Sequence, residues 1–96
     1  MKSRFHEYAR REYLDAVRYL RADDPKKAKN FIADVRNTVR RIEQRPESGS
    51  PGELGTRRKY LRKFHYTVIY RIQDGEIEIL AVTHHRREEG YWYNRL

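Results

Sequence analysis

The chain has 96 residues, a formal net charge of +8 and no cysteine, so one core spanning residues 1–96 is expected and disulfide or thiol chemistry is excluded. No apolar run approaches the length of a membrane span, and the N-terminus carries Lys2 and Arg4 rather than a signal sequence, which makes the cytoplasm the expected compartment and leaves no membrane partner. The positive excess points to anionic partners, and because 22 basic residues accompany 14 acidic ones, the placement of charge tells more than its total.

Residues 1–6 are short enough for only a brief edge strand. From Glu7 to about Arg21, Ala9, Tyr13, Ala16, Val17 and Leu20 share one face at helical spacing while Arg10, Arg11, Asp15 and Arg18 fall elsewhere. Asp23-Asp24-Pro25 then reads as a helix start, with an aspartate to cap free amides and a proline where no amide is needed. The second helix carries Ala28, Phe31, Ile32, Val35, Val39 and Ile42 as its apolar stripe and stops at Pro46, a length of about 30 Å. The short joint between the two helices predicts an antiparallel hairpin.

Residues 47–53 form a turn-rich loop, after which the apolar period changes to two. A charged strand over residues 57–64 is expected at a sheet edge. Tyr66, Val68, Tyr70 and Ile72 then alternate with Ile69 and Arg71, and Asp74-Gly75 supplies the positive φ angles of a type I′ turn. Residues 77–83 return antiparallel. The predicted fold is α+β: an N-terminal antiparallel helical hairpin packed on a C-terminal antiparallel sheet of three to four strands. Strict alternation sends Ile69, Leu80 and Val82 to the sheet face away from the helices, where the tail or a partner should cover them.

Two constellations carry chemistry. In Arg57-Arg58-Lys59-Tyr60-Leu61-Arg62-Lys63, alternation puts Arg58 and Arg62 on one face and Arg57, Lys59 and Lys63 on the other. Such a row suits phosphates or carboxylates, and equally suits an edge strand protected by charge. The tail gathers His84, His85, Arg86, Arg87, Tyr91 and Trp92. Metal-free RNA cleavage needs a base, an acid and fixed cations. His84 or His85 could move protons, Arg86 or Arg87 hold phosphate, and Tyr91 donate or stack. The plainer reading docks Trp92 on the core and leaves the arginines to solvent or a partner. His6, His65, His84 and His85 have no zinc spacing, so no metal and no cofactor are expected.

The pattern resembles the RelE/ParE superfamily of bacterial type II toxins over nearly the whole chain. The residues that carry it are Pro25-x-x-Ala28-x-x-Phe31, Arg57-Arg58-x-x-Leu61-x-x-Phe64-x-Tyr66-x-Val68-Ile69-Tyr70-Arg71 and Ile79-Leu80-Ala81-Val82-x-His84. The ending His85-Arg86-Arg87-x-x-Gly90-Tyr91-Trp92-x-x-Arg95 is similar to the plasmid-stabilisation, ParE-like branch. The resemblance implies a toxin neutralised by a cognate antitoxin that lies across the sheet, on Ile69, Leu80 and Val82. It implies a target of DNA gyrase for ParE-like members, or of mRNA on the ribosome for RelE-like ones. RelE-type nucleases tend to carry an arginine where this chain has Thr67, which favours inhibition of gyrase by binding. Arg57, Arg58, Arg62, Lys63, Arg86, Arg87 and Trp92 would then meet the target or its phosphates. The alternatives are an mRNA endonuclease using His84, His85, Arg86 and Tyr91, and a non-toxic member that only binds an antitoxin.

Overall fold

A computed structural model describes residues 1–96. β1 (Ser3–Phe5) leads into α1 (Glu7–Asp23), α2 (Pro25–Gln44) and β2 (Ser50–Pro51), and then come β3 (Arg57–Tyr60), β4 (Tyr66–Gln73) and β5 (Glu76–His84). Single 3₁₀ turns follow β2 at Glu53–Gly55 and close the chain at Tyr93–Arg95.

Asp24 makes the helical hairpin. Its N–H donates to the Leu20 carbonyl and so ends α1, while its carboxylate accepts the Lys26 N–H at 3.0 Å and starts α2 behind Pro25. The apolar faces of both helices then lie on one side of the sheet. Ala9, Val17, Phe31, Val35 and Ile42 meet Val68, Tyr70, Ile77 and Ile79 in the main core, where each large side chain removed from water contributes about 1.5–3 kcal/mol.

The sheet has the order β1-β5-β4-β3-β2, one strand more than the sequence led us to expect. The extra strand is the two-residue β2, which pairs with β3 from outside, while the brief N-terminal strand β1 forms the other margin and pairs parallel with β5, the one departure from an antiparallel sheet. β4 and β5 form the expected hairpin, turning at Asp74 (φ 53) and Gly75 (φ 75).

Two expectations are corrected. The strand foreseen over residues 57–64 stops at Tyr60 and is not the outermost one. It stops because the buried Asp34 of α2 accepts the backbone amides of Arg62 and Lys63 at 3.2 and 2.8 Å, drawing the chain out of the ladder. Strict alternation also fails along β5. A register shift pairs Ile69 with Ala81 but Tyr70 with Ile79, leaving Leu80 as the extra residue of a bulge. Past the bulge the faces exchange, so Val82 joins the helix-side core while Leu80 and Ala81 look to the other face with Ile69.

That second face is covered by the tail. Trp92, 1% exposed, packs on Ile69, Leu80 and Ala81 as a small separate core. Gly90, at φ 77, turns the tail inward, and a Cβ there would meet the Tyr93 ring at 2.8 Å.

Candidate functional site: the tail cleft and its clasp

β5 outruns β1, whose last paired residue is Phe5 opposite Ile79. The next backbone groups on that edge, the Leu80 carbonyl and the Val82 N–H, therefore have no strand neighbour. Two side chains take its place. Arg95 donates to the Leu80 carbonyl at 2.8 Å, and Glu12 of α1 accepts the Val82 N–H at 3.2 Å. The same pair closes on itself, with Arg95 nitrogens 2.9 and 3.0 Å from the two Glu12 oxygens, a forked arrangement of nearly buried partners. Tyr91 adds a third donor, its hydroxyl 2.6 Å from Glu12. Burial first, and then that bond to a carboxylate, push the Tyr91 hydroxyl up to about 12. It is a structural hydrogen-bond donor at neutral pH.

Between this clasp and β3 lies a cleft of about 340 Å³ lined by Arg58, Tyr60, Thr67, His84, His85 and Arg87, with Tyr91 and Trp92 at its base. Aromatic edges organise its rim: His84 meets Tyr66 at 5.1 Å, and His85 lies 5.3 Å from Tyr60 and 5.8 Å from His65. The two imidazoles of the tail have different neighbours, as extended backbone predicts. His84 Nδ1 accepts the Arg86 backbone N–H at 3.1 Å, which leaves the ring's other nitrogen to carry the proton when neutral. Burial, and then the positive field of Arg86 and the other histidines, hold His84 below its ordinary value. Arg87 stacks its guanidinium 4.1 Å above the Tyr91 ring. Arg58 reaches across the cleft to grip both oxygens of Glu89, at 3.2 and 2.7 Å.

The residues singled out from sequence are thus divided. His84, His85, Arg87, Tyr91 and Arg58 come together at this cleft, whereas Arg86 is exposed and does not line it. Trp92 is buried on Ile69, Leu80 and Ala81 at the base of the cleft, so little of its ring is left for a base or a target. Arg57 donates to the Glu47 and Gly49 carbonyls and holds the loop before β2. Arg62 leaves the face of Arg58 because β3 has already ended, and joins Lys63 beside α2. Of the expected antitoxin contacts, Ile69 and Leu80 lie beneath Trp92 and Val82 lies under the helices, all buried.

Glu12, Asp34 and Arg95 were absent from the sequence-based site. A signal existed for the acids. Glu12 falls beside Ala9 and Ala16 at helical spacing, and Asp34 between Phe31 and Thr38, so each carboxylate sits on a face that goes inward. A carboxylate there must find donors.

Comparison with known proteins agrees with this architecture. The family described as the ParE toxin of the type II toxin–antitoxin system parDE matches residues 4–89. A protein of Sinorhizobium fredii named "Putative toxin Y4kP" is 36% identical over 67 residues, 69% of each chain. A solved structure titled "Chromosomal ParDE TA system from P. aeruginosa" superposes with a TM-score of 0.74 at 25% identity, covering 88% of this chain and 95% of that one.

Proposed function

This chain belongs to the ParE toxin family of type II toxin–antitoxin systems, and from that membership we propose that it inhibits DNA gyrase by binding and is neutralised by a cognate antitoxin. The observation that carries the binding reading is that two of the side chains RNA cleavage would use are engaged within the fold and a third lies outside the cleft. The Tyr91 hydroxyl is given to Glu12, His84 Nδ1 takes a backbone amide, and the Arg86 side chain lies outside the cleft. On the strand, Thr67 is buried and neutral. His85 and Arg87 stay open at the cleft, but the tyrosine and the arginine that the cleavage set would use, Tyr91 and Arg86, are respectively held by Glu12 and outside it, whereas binding requires no such set.

In this reading the target and the antitoxin meet the rim of the tail cleft rather than its floor. Tyr60 is 62% exposed beside His85, and Arg87 lies just beyond on its Tyr91 platform. An exposed aromatic flanked by cations is the kind of anchor that protein interfaces favour. An antitoxin segment laid across this rim touches the tail that covers Ile69 and Leu80, and reaches those side chains only if Trp92 is displaced. The action is assigned to the cytoplasm, where gyrase and its DNA are.

The test is a supercoiling assay with purified gyrase and relaxed plasmid. Added toxin is expected to abolish supercoiling, and the antitoxin encoded beside it to restore it. Normal supercoiling by gyrase saturated with the toxin would overturn the reading. So would fresh cuts in cellular transcripts, mapped minutes after induction, that vanish in Arg86→Ala.

A further inference from the structure

On the far side of β3 from the tail, α2 and the segment that leaves β3 enclose a second cleft of about 340 Å³. One wall is a line of carboxamides, Asn30, Asn37 and Gln44. They recur every seven residues on one helix face and span about 21 Å. Arg40 and Arg41 stand beside that line, and Arg62 and Lys63 face them from the other wall. Asp34 is the cleft's one acid, and its two oxygens are already taken by the amides of residues 62 and 63.

The cations here are in no ion pair, and Asp34 offsets only part of the burial and the Arg62 charge that weigh on Arg41. The chain forms eight ion pairs, and none includes Arg40, Arg41, Arg62 or Lys63. Arg41 gives one nitrogen to the Thr38 hydroxyl at 3.0 Å, but its Nε is buried with no acceptor. The groups also work against one another. Burial, then Arg62, lowers the Arg41 guanidinium, and burial, then Arg41, Arg45 and Arg62, lowers the neighbouring Lys59 ammonium. A groove that gathers like charges at a cost to its own members gains most from an occupant that brings negative charge along its length.

The occupant's chemistry follows from what the groove lacks. A protein partner needs aromatic or aliphatic anchors, and the sole apolar side chain here is Ala33. A phosphodiester backbone needs cations at intervals with amides to position sugar and phosphate oxygens. We propose that the groove between α2 and residues 61–63 binds the phosphate backbone of a nucleic acid, with Arg40, Arg41, Arg62 and Lys63 on phosphates and Asn30, Asn37 and Gln44 setting the strand's position. The assignment stands apart from the gyrase reading and requires no contact with the tail cleft.

The experiment measures binding of short fluorescent DNA and RNA duplexes to the full chain by anisotropy, between roughly 50 and 200 mM salt, where phosphate contacts weaken steeply. Four contacts predict a log–log salt slope of about −4 for DNA, and Arg40→Ala/Lys63→Ala should flatten it by about 2 and weaken binding about tenfold at the low-salt end. Arg10→Ala/Arg21→Ala removes equal charge from exposed positions of α1 and should leave the slope in place. The polymer bound more tightly identifies the source of the backbone. An unchanged slope in the groove variant, shown folded by its melting curve, would overturn the proposal, as would equal losses in both variants. Displacement of the duplex by poly-glutamate at matched charge would also overturn it, by making the groove a site for acidic protein.

Discussion

The tail cleft and the α2 groove each enclose about 340 Å³, on opposite sides of β3. Tyr60, Ile69, Tyr91 and Trp92 line the first, where Arg58 is paired with Glu89 and Arg87 is stacked on Tyr91, and beside it Arg95 is paired with Glu12. Carboxamides and cations that enter no ion pair line the second. The difference teaches that concentration of chemically capable residues is a poor guide to an open site. The tail gathers histidine, arginine and tyrosine most densely in sequence, and the fold uses much of it to close its own sheet. The groove is assembled from two distant segments and keeps its charge for solvent or a ligand. Substitutions in the tail should therefore cost stability, and substitutions in the groove should cost binding.

The largest effect is expected at Trp92. It is the biggest side chain in the small core on the second face, and without it Ile69, Leu80 and Ala81 lose their cover. Trp92→Ala should destabilise the protein by about 3–5 kcal/mol in chemical denaturation. A loss as small as that of Arg40→Ala/Lys63→Ala, for which exposed positions predict about 0.5 kcal/mol or less, would erase the contrast between the two regions.

Next is Glu12→Ala. It strands Arg95, which is 8% exposed at its side chain, and leaves the Val82 N–H with no acceptor. Breaking one member of so enclosed a pair costs about 3 kcal/mol. The same measurement separates two roles for the tail. If Glu12→Ala is destabilised but still inhibits the target, the clasp is scaffold only. If inhibition is lost at temperatures where the protein stays folded, the clasp positions the rim.

How much of this was legible without coordinates depends on how far apart the partners lie in the chain. Asp24-Pro25 and Asp74-Gly75 act on their own neighbours, and both did what their chemistry dictates. The helical hairpin and the β4–β5 pairing followed from them. The bulge at Leu80 was hidden because a period of two has no mark for an extra residue, and it moved Val82 to the other face. The end of β3 was hidden because its cause, Asp34, lies 28 residues earlier. Arg95 and Glu12 are 83 residues apart, and no local pattern joins them. The tail's side chains are of types capable of chemistry, but their neighbours decide what each is free to do.

Tyr91 gives the finest test of that last point, because its hydroxyl is either a clasp or a working acid. As a clasp it is held protonated by burial and by Glu12, with its folded value near 12 against about 10 for an unfolded tyrosine. Between those values the folded state keeps a proton that the unfolded state has released, so stability falls as pH rises from about 10 to 12 and is fully present below that window. Tyr91→Phe removes the bond to Glu12 but leaves Arg95 on the same carboxylate, a cost of about 1 kcal/mol at pH 8. That deficit should shrink steadily above pH 10, since the variant has no such proton to lose. Tyr13, Tyr66 and Tyr93 are also raised, but they are common to both proteins and cancel in the difference. Denaturation curves for the pair at pH 8, 10 and 11 read the effect directly. A deficit that stays constant across the three would mean that the Tyr91 hydroxyl ionises as freely in the fold as outside it, and the clasp would then rest on Arg95 alone.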